Sequence, residues 1–235
     1  MRSERVIVAL DVENLKKARR LVSELAGLIR IFKIGSELFT ACGPAVIDLI
    51  HRKKAEVFLD LKFHDIPATV DSASAAATKL GVFMMSVHAG GGGQMMRSAA
   101  ESIRKTAADK KIPAPKLLGV TVLTSMADSD LREVGILSDV NRQVENLTRL
   151  TKASGLDGVV ASPWEIELIR KTAGKDFLIV TPGVRPSWAV AGDQKRVLTP
   201  HEAFKKGADF IVVGRPITRH ARPLEAAHRI LEEIR

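Results

Sequence analysis

Eight short apolar runs, each followed by a stretch with helical spacing, organise this sequence. The runs fall at residues 5–11, 30–34, 55–60, 82–88, 116–122, 158–161, 177–181 and 209–213. Helical periodicity occupies 14–26, 36–51, 68–80, 94–108, 140–154, 163–172, 200–206 and 223–234. The runs are near-continuous Val, Ile, Leu and Phe rather than alternating with polar residues. That pattern marks parallel strands covered on both faces. Eight β/α units in 235 residues predict an α/β chain closed into a (β/α)8 TIM barrel, with a doubly wound open sheet as the runner-up. No linker, low-complexity segment or shift in composition divides the chain. Residues 1–235 are therefore expected to form a single domain.

In such a barrel the reactive groups sit at the C-terminal ends of the strands. The sequence places polar residues there repeatedly: Asp11 after the first run, Lys33 in the second, Asp60 and Lys62 at the third, His88 at the fourth. Thr124 and Ser125 follow the fifth, Arg185 the seventh, and Gly214 and Arg215 the eighth. The densest stretch is residues 56–70, EVFLDLKFHDIPATV. Strand side chains alternate faces, so Asp60 and Lys62 project to one side and Leu59 and Leu61 to the other. A carboxylate and an ammonium together at a buried strand end are costly to desolvate. A structural ion pair is one explanation. A site in which Asp11, Lys33, Asp60 and Lys62 alternate in charge is the other, and the convergence of strands one, two and three favours it. Lys33 could instead extend its stem along apolar surface to reach water. Asp65 stands just before Pro67 and could serve the start of the next helix.

Phosphate sites in these barrels favour the loops after strands seven and eight. Gly214 permits close backbone approach, Arg215 offers a bidentate fork, and Arg185 adds a second guanidinium. The loop 182–199 is too long for a plain connection and has the length of a lid, with Gln194 in its middle. The glycine run 90–93 lacks the spacing of a P-loop or a dinucleotide fingerprint and reads as a turn. His88 suits either an acid–base role or a hydrogen-bonded place in the core.

Several function classes drop out. The formal charge is +9, but it is spread along the chain, with no basic tail, helix-turn-helix or RNA-binding aromatic motif. Tyr is absent and aromatics are 4%, which leaves few platforms for stacking bases. A basic pocket for an anionic small molecule is the better use of the charge. Six histidines show no metal-ligand spacing, and one cysteine, Cys42, permits no internal disulfide. No apolar run approaches the length of a membrane span, and the start of the chain has no signal core. The expectation is a cytoplasmic protein without nucleic-acid or membrane partners.

The stretch LDLKFHDIPATV resembles the Asp-x-Lys-x-x-Asp-Ile-Pro signature of the orotidine 5′-phosphate decarboxylase family. VALDVEN, FKIGSELF, SVHAGGG, GVTVLTS, TPGVRP and VVGRPIT resemble the other blocks of that family, in the same order across essentially the whole chain. The form is similar to the short bacterial one. The resemblance implies conversion of orotidine 5′-phosphate to uridine 5′-phosphate and carbon dioxide in pyrimidine biosynthesis, with no metal or organic cofactor. It implies a homodimer with sites at the interface. By motif, Lys33, Asp60, Lys62 and Asp65 are the charged catalytic tetrad. Asp65, Ile66 and Thr69 reach into the partner's site, and Asp11 and Lys33 bind ribose hydroxyls. Ser125, beside Thr124, meets the pyrimidine amide. Gln194, Arg185 and Arg215 serve the phosphate and lid, and Gly214 lends a backbone amide. The nearest rival is a metal-dependent sugar-phosphate decarboxylase of the same barrel, which carries an acid in place of the strand-two lysine; Lys33 argues against it.

Overall fold

A computed structural model of the chain describes residues 2–189 and 198–234. Eight parallel strands pair in sequence order and close into a barrel, with β8 back beside β1. They are β1 (Val6–Ala9), β2 (Ile31–Gly35), β3 (Glu56–Phe63), β4 (Met84–His88), β5 (Lys116–Val120), β6 (Gly158–Val160), β7 (Leu178–Thr181) and β8 (Phe210–Val213). The (β/α)8 expectation holds, and the open-sheet alternative does not.

The helices surround the barrel: α1 (Leu15–Leu25), α2 (Ser36–Cys42), α3 (Ala45–His51), α4 (Pro67–Lys79), α5 (Gly92–Lys110), α6 (Asp128–Glu133), α7 (Val140–Ala153), α8 (Ile166–Ala173), α9 (Pro200–Lys205), α10 (Arg215–Thr218) and α11 (Pro223–Glu233). Local chemistry starts several of them. The Asn14 side chain accepts the Lys17 N–H at 3.0 Å ahead of α1, and Asp139 accepts that of Arg142 at 2.7 Å ahead of α7. The single helix expected over 36–51 is two. Gly43 adopts φ 59° and Pro44 follows it, so the first helix ends there and the second begins. The polar stretch after β5 contains a short helix, α6, that periodicity does not reveal.

Two apolar layers explain why the strands lack polar alternation. Ile7, Ile31, Phe58, Met84, Val180 and Val212 fill the barrel interior. Their chain neighbours, among them Val8, Phe32, Leu59, Met85 and Ile179, face the helices. Each inward residue points two positions further along its strand to the rim: Ala9 to Asp11, Ile31 to Lys33, Phe58 to Asp60, Met84 to Ser86.

At the opposite end, Gly158 lies against β7. A Cβ there would stand 2.3 Å from the Leu178 carbonyl oxygen, a backbone atom that cannot swing aside. Gly158→Ala is therefore expected to cost about 1–3 kcal/mol by forcing the two strands apart. The midpoint of urea unfolding reads this loss; an unchanged midpoint contradicts it.

Candidate active site

The charged residues at the ends of β1, β2 and β3 meet in one row. The Lys33 ammonium lies 3.3 Å from Asp11 Oδ1 and 3.7 Å from Asp60 Oδ2. Lys62 Nζ donates to Asp60 Oδ2 at 2.8 Å. The order Asp11, Lys33, Asp60, Lys62 alternates in sign, so each adjacent pair attracts. The side chains of Lys33 and Asp60 are 12% and 8% exposed, whereas that of Lys62 is 36% exposed. The carboxylate of Asp60 is thus buried between two cations, and the outermost ammonium keeps access to the mouth.

Lys62 reaches this place by an irregular path. The β3–β4 register shifts between Leu59 and Phe63, and Lys62 has φ 52°. A left-handed residue other than glycine carries a strain of about 1–2 kcal/mol. Bulges next to sites re-aim side chains, and strain of this kind concentrates where function requires a particular geometry. Plain alternation therefore predicts the meeting of Asp60 and Lys62 but not the backbone that achieves it. The Lys62 N–H donates to Ser86 Oγ at 3.0 Å, and Ser86 Oγ donates to Asp60 Oδ1 at 2.7 Å. Ser86 is fully buried. Reasoning from charged residues missed it, although its position two residues past inward-facing Met84 is the available signal.

A cavity of about 280 Å³ opens beside this row. Apolar Val120, Val160 and Val212 are among the residues that line it, and so is Thr124. Arg185, Gly214 and Arg215 also line it. A Cβ at Gly214 would come within 3.4 Å of Asp11 Oδ2, so glycine keeps that edge clear. The base of the long loop is pinned where the Arg185 N–H donates to the Leu198 carbonyl at 3.0 Å. The same cavity therefore brings together the alternating charges, two guanidiniums and apolar surface.

Other expected residues lie elsewhere. Asp65 is exposed, and its Oδ1 accepts the N–H of Ile66 at 2.6 Å. Ile66 is 65% exposed and Thr69 is also exposed, on the rim at the start of α4. None of the three lines the cavity of its own chain. Ser125 is exposed next to Thr124 but does not line the cavity. Gln194 lies outside the described residues. His88 stacks on His64 with ring centroids 5.3 Å apart. Burial, followed by the charges of His64 and Lys62, holds its imidazole below the ordinary histidine value. Among the described residues no group of three or more His, Cys, Asp and Glu is placed to hold a metal ion. Where a cation would bridge Asp11 and Asp60, the Lys33 ammonium already stands.

Comparison with known proteins agrees with this geometry. The profile of the orotidine 5′-phosphate decarboxylase / HUMPS family matches residues 4–230. The chain is 53% identical over 232 residues to the orotidine 5′-phosphate decarboxylase of Syntrophotalea carbinolica, covering 98% of this chain and 95% of that one. It is 50% identical over 230 residues to the protein of the same name from Trichlorobacter lovleyi, with the same coverage. The crystal structure of orotidine 5′-phosphate decarboxylase from Lactobacillus acidophilus superposes with a TM-score of 0.85 at 39% identity, over 98% of this chain and 99% of that one. An uncharacterized conserved protein from Geobacillus kaustophilus superposes with a TM-score of 0.86 at 35% identity, over 98% and 100%. With a barrel of the same shape, a profile that spans nearly every residue and half of all positions identical to named relatives, the chain belongs to the orotidine 5′-phosphate decarboxylase / HUMPS family.

Proposed function

We propose that this cavity decarboxylates orotidine 5′-phosphate to uridine 5′-phosphate and carbon dioxide, a step of pyrimidine biosynthesis, with neither metal nor organic cofactor. The observation that carries the reading is the buried Asp60 carboxylate held between the ammoniums of Lys33 and Lys62 at the cavity mouth. The bond from the pyrimidine ring to its carboxylate breaks, and the electron pair stays on the ring carbon. No cofactor takes up those electrons, so fixed charge must stabilise them. Lys62 stands where that charge develops and donates a proton to the same carbon; solvent then restores the ammonium. Asp60 lies near the departing carboxylate, and their repulsion is relieved as carbon dioxide leaves.

The remaining roles follow the layout. Asp11 and Lys33 take the ribose hydroxyls. Thr124 and Ser125 take the polar edge of the pyrimidine. Arg185 and Arg215, the Gly214 amide and Gln194 take the phosphate. Phosphate binding remote from the reacting carbon supplies energy that is used at the transition state. Asp65, Ile66 and Thr69 act across a homodimer interface, in the site of a second copy. Their exposure in a single chain, with a large apolar side chain among them, suits a surface that is covered on assembly. We place the enzyme in the cytoplasm as one domain. No described helix is long and apolar enough to cross a membrane.

The test is the change in ultraviolet absorbance of orotidine 5′-phosphate with purified protein in excess chelator. Full turnover is expected. No loss of substrate with or without magnesium would favour the metal-dependent sugar-phosphate reading instead, and turnover only after magnesium is returned would contradict the cofactor-free reaction.

A further inference from the structure

We infer that Ser86 is a positioning residue for the reaction, acting through both Asp60 and Lys62. The assignment rests on the decarboxylase reading above, and it adds a group outside the charged row. An N–H only donates, so the Lys62 amide at 3.0 Å fixes Ser86 Oγ as its acceptor. The one hydroxyl proton is then directed at Asp60 Oδ1, 2.7 Å away. A single buried oxygen therefore joins the backbone of the lysine to the carboxylate that faces that lysine's own ammonium. The junction sits where the chain departs from strand geometry, at φ 52° and a shifted register. The hydrogen bond from the Lys62 amide to Ser86 Oγ supplies a restraint on that left-handed backbone. Asp60 divides its two oxygens accordingly, Oδ2 toward Lys62 and Lys33, Oδ1 toward Ser86. Loss of the hydroxyl frees the carboxylate to rotate and the lysine backbone to relax. The substitution leaves the guanidiniums of Arg185 and Arg215 in the lining of the cavity.

Ser86→Ala is expected to lower kcat about 10- to 100-fold, because displacements near 1 Å have effects of that size. Affinity for uridine 5′-phosphate should stay within about threefold, since the loss falls on the transition state and not on uniform binding. Thr and Val share a shape and differ in the hydroxyl, so Ser86→Thr should recover activity that Ser86→Val does not. A kcat for Ser86→Ala within about twofold of wild type, or equal activity in the Thr and Val variants, overturns the inference. Amide hydrogen exchange of Lys62 in the unmodified enzyme tests the same bond without a substitution. Slow exchange supports it, and exchange as fast as an exposed amide overturns it even if the variants fail to fold. Wild-type turnover in the same assay keeps the two ideas apart. An inactive wild type contradicts the decarboxylase reading, whereas an active wild type with an equally active Ser86→Ala contradicts only the role of Ser86.

Discussion

Lys62→Ala is expected to lose turnover by a factor on the order of 10⁵, because it removes a proton donor and a charge stabiliser at one position, and each is worth several orders of magnitude. Binding of uridine 5′-phosphate should survive. Arg185 and Arg215, which also line the cavity, remain in the variant. The protein should also stay folded. Without Lys62, the Asp60 carboxylate still has Lys33 at 3.7 Å and the Ser86 hydroxyl at 2.7 Å, so no buried charge is left alone. Alanine keeps a Cβ at φ 52°, so the backbone strain at this position is the same in both proteins. Steady-state decarboxylation and product titration on the same preparation check both halves. Turnover within about tenfold of wild type would remove Lys62 from the chemistry, since no general acid that matters is worth so little. Loss of product binding in parallel with turnover would instead point to a collapsed cavity.

The barrel and most of the charged row are legible in the sequence for the same reason. A strand covered on both faces must be apolar along its length, so a charge appears only where the strand emerges at the rim. Lys33 stands out between Phe32 and Ile34, and Asp60 after Leu59, by that contrast. Ser86 obeys the same geometry, two residues past Met84, but an uncharged hydroxyl gives no contrast in the run MMSVH. The turn at Lys62 is less visible still. Alternation describes a regular strand, and nothing in the identity of a lysine announces a left-handed backbone. The break between α2 and α3 was readable from Gly43 and Pro44, yet helical periodicity resumes after them and hides it. Of the pair Thr124 and Ser125, Thr124 lines the cavity of the single chain, while Ser125 is exposed beside it. Asp65 poses a different difficulty. Its sequence motif belongs to a site, but its own chain turns it back on the Ile66 amide at the rim. If its target sits on another copy of the chain, as proposed, folding one copy cannot place it.

That separation gives the second large effect. Two inactive proteins, Lys62→Ala and Asp65→Ala, are expected to regain activity when their subunits exchange. In the proposed two-fold dimer each site would take its lysine from one chain and its Asp65 from the other. Random reassortment of equal amounts makes half the dimers mixed, and each mixed dimer holds one site with both groups intact, so about a quarter of wild-type activity should return. The other site of that dimer carries both defects and contributes nothing. If Asp65 acts within its own chain, every site retains one defect and mixing restores nothing. Exchange must be shown independently, for instance by co-purification of an untagged subunit with a tagged one. Recovery of about a quarter then supports the shared site through both the presence of activity and its amount. Demonstrated exchange without recovery assigns Asp65, Ile66 and Thr69 to the rim of their own chain, and the exposed Ile66 would need another explanation.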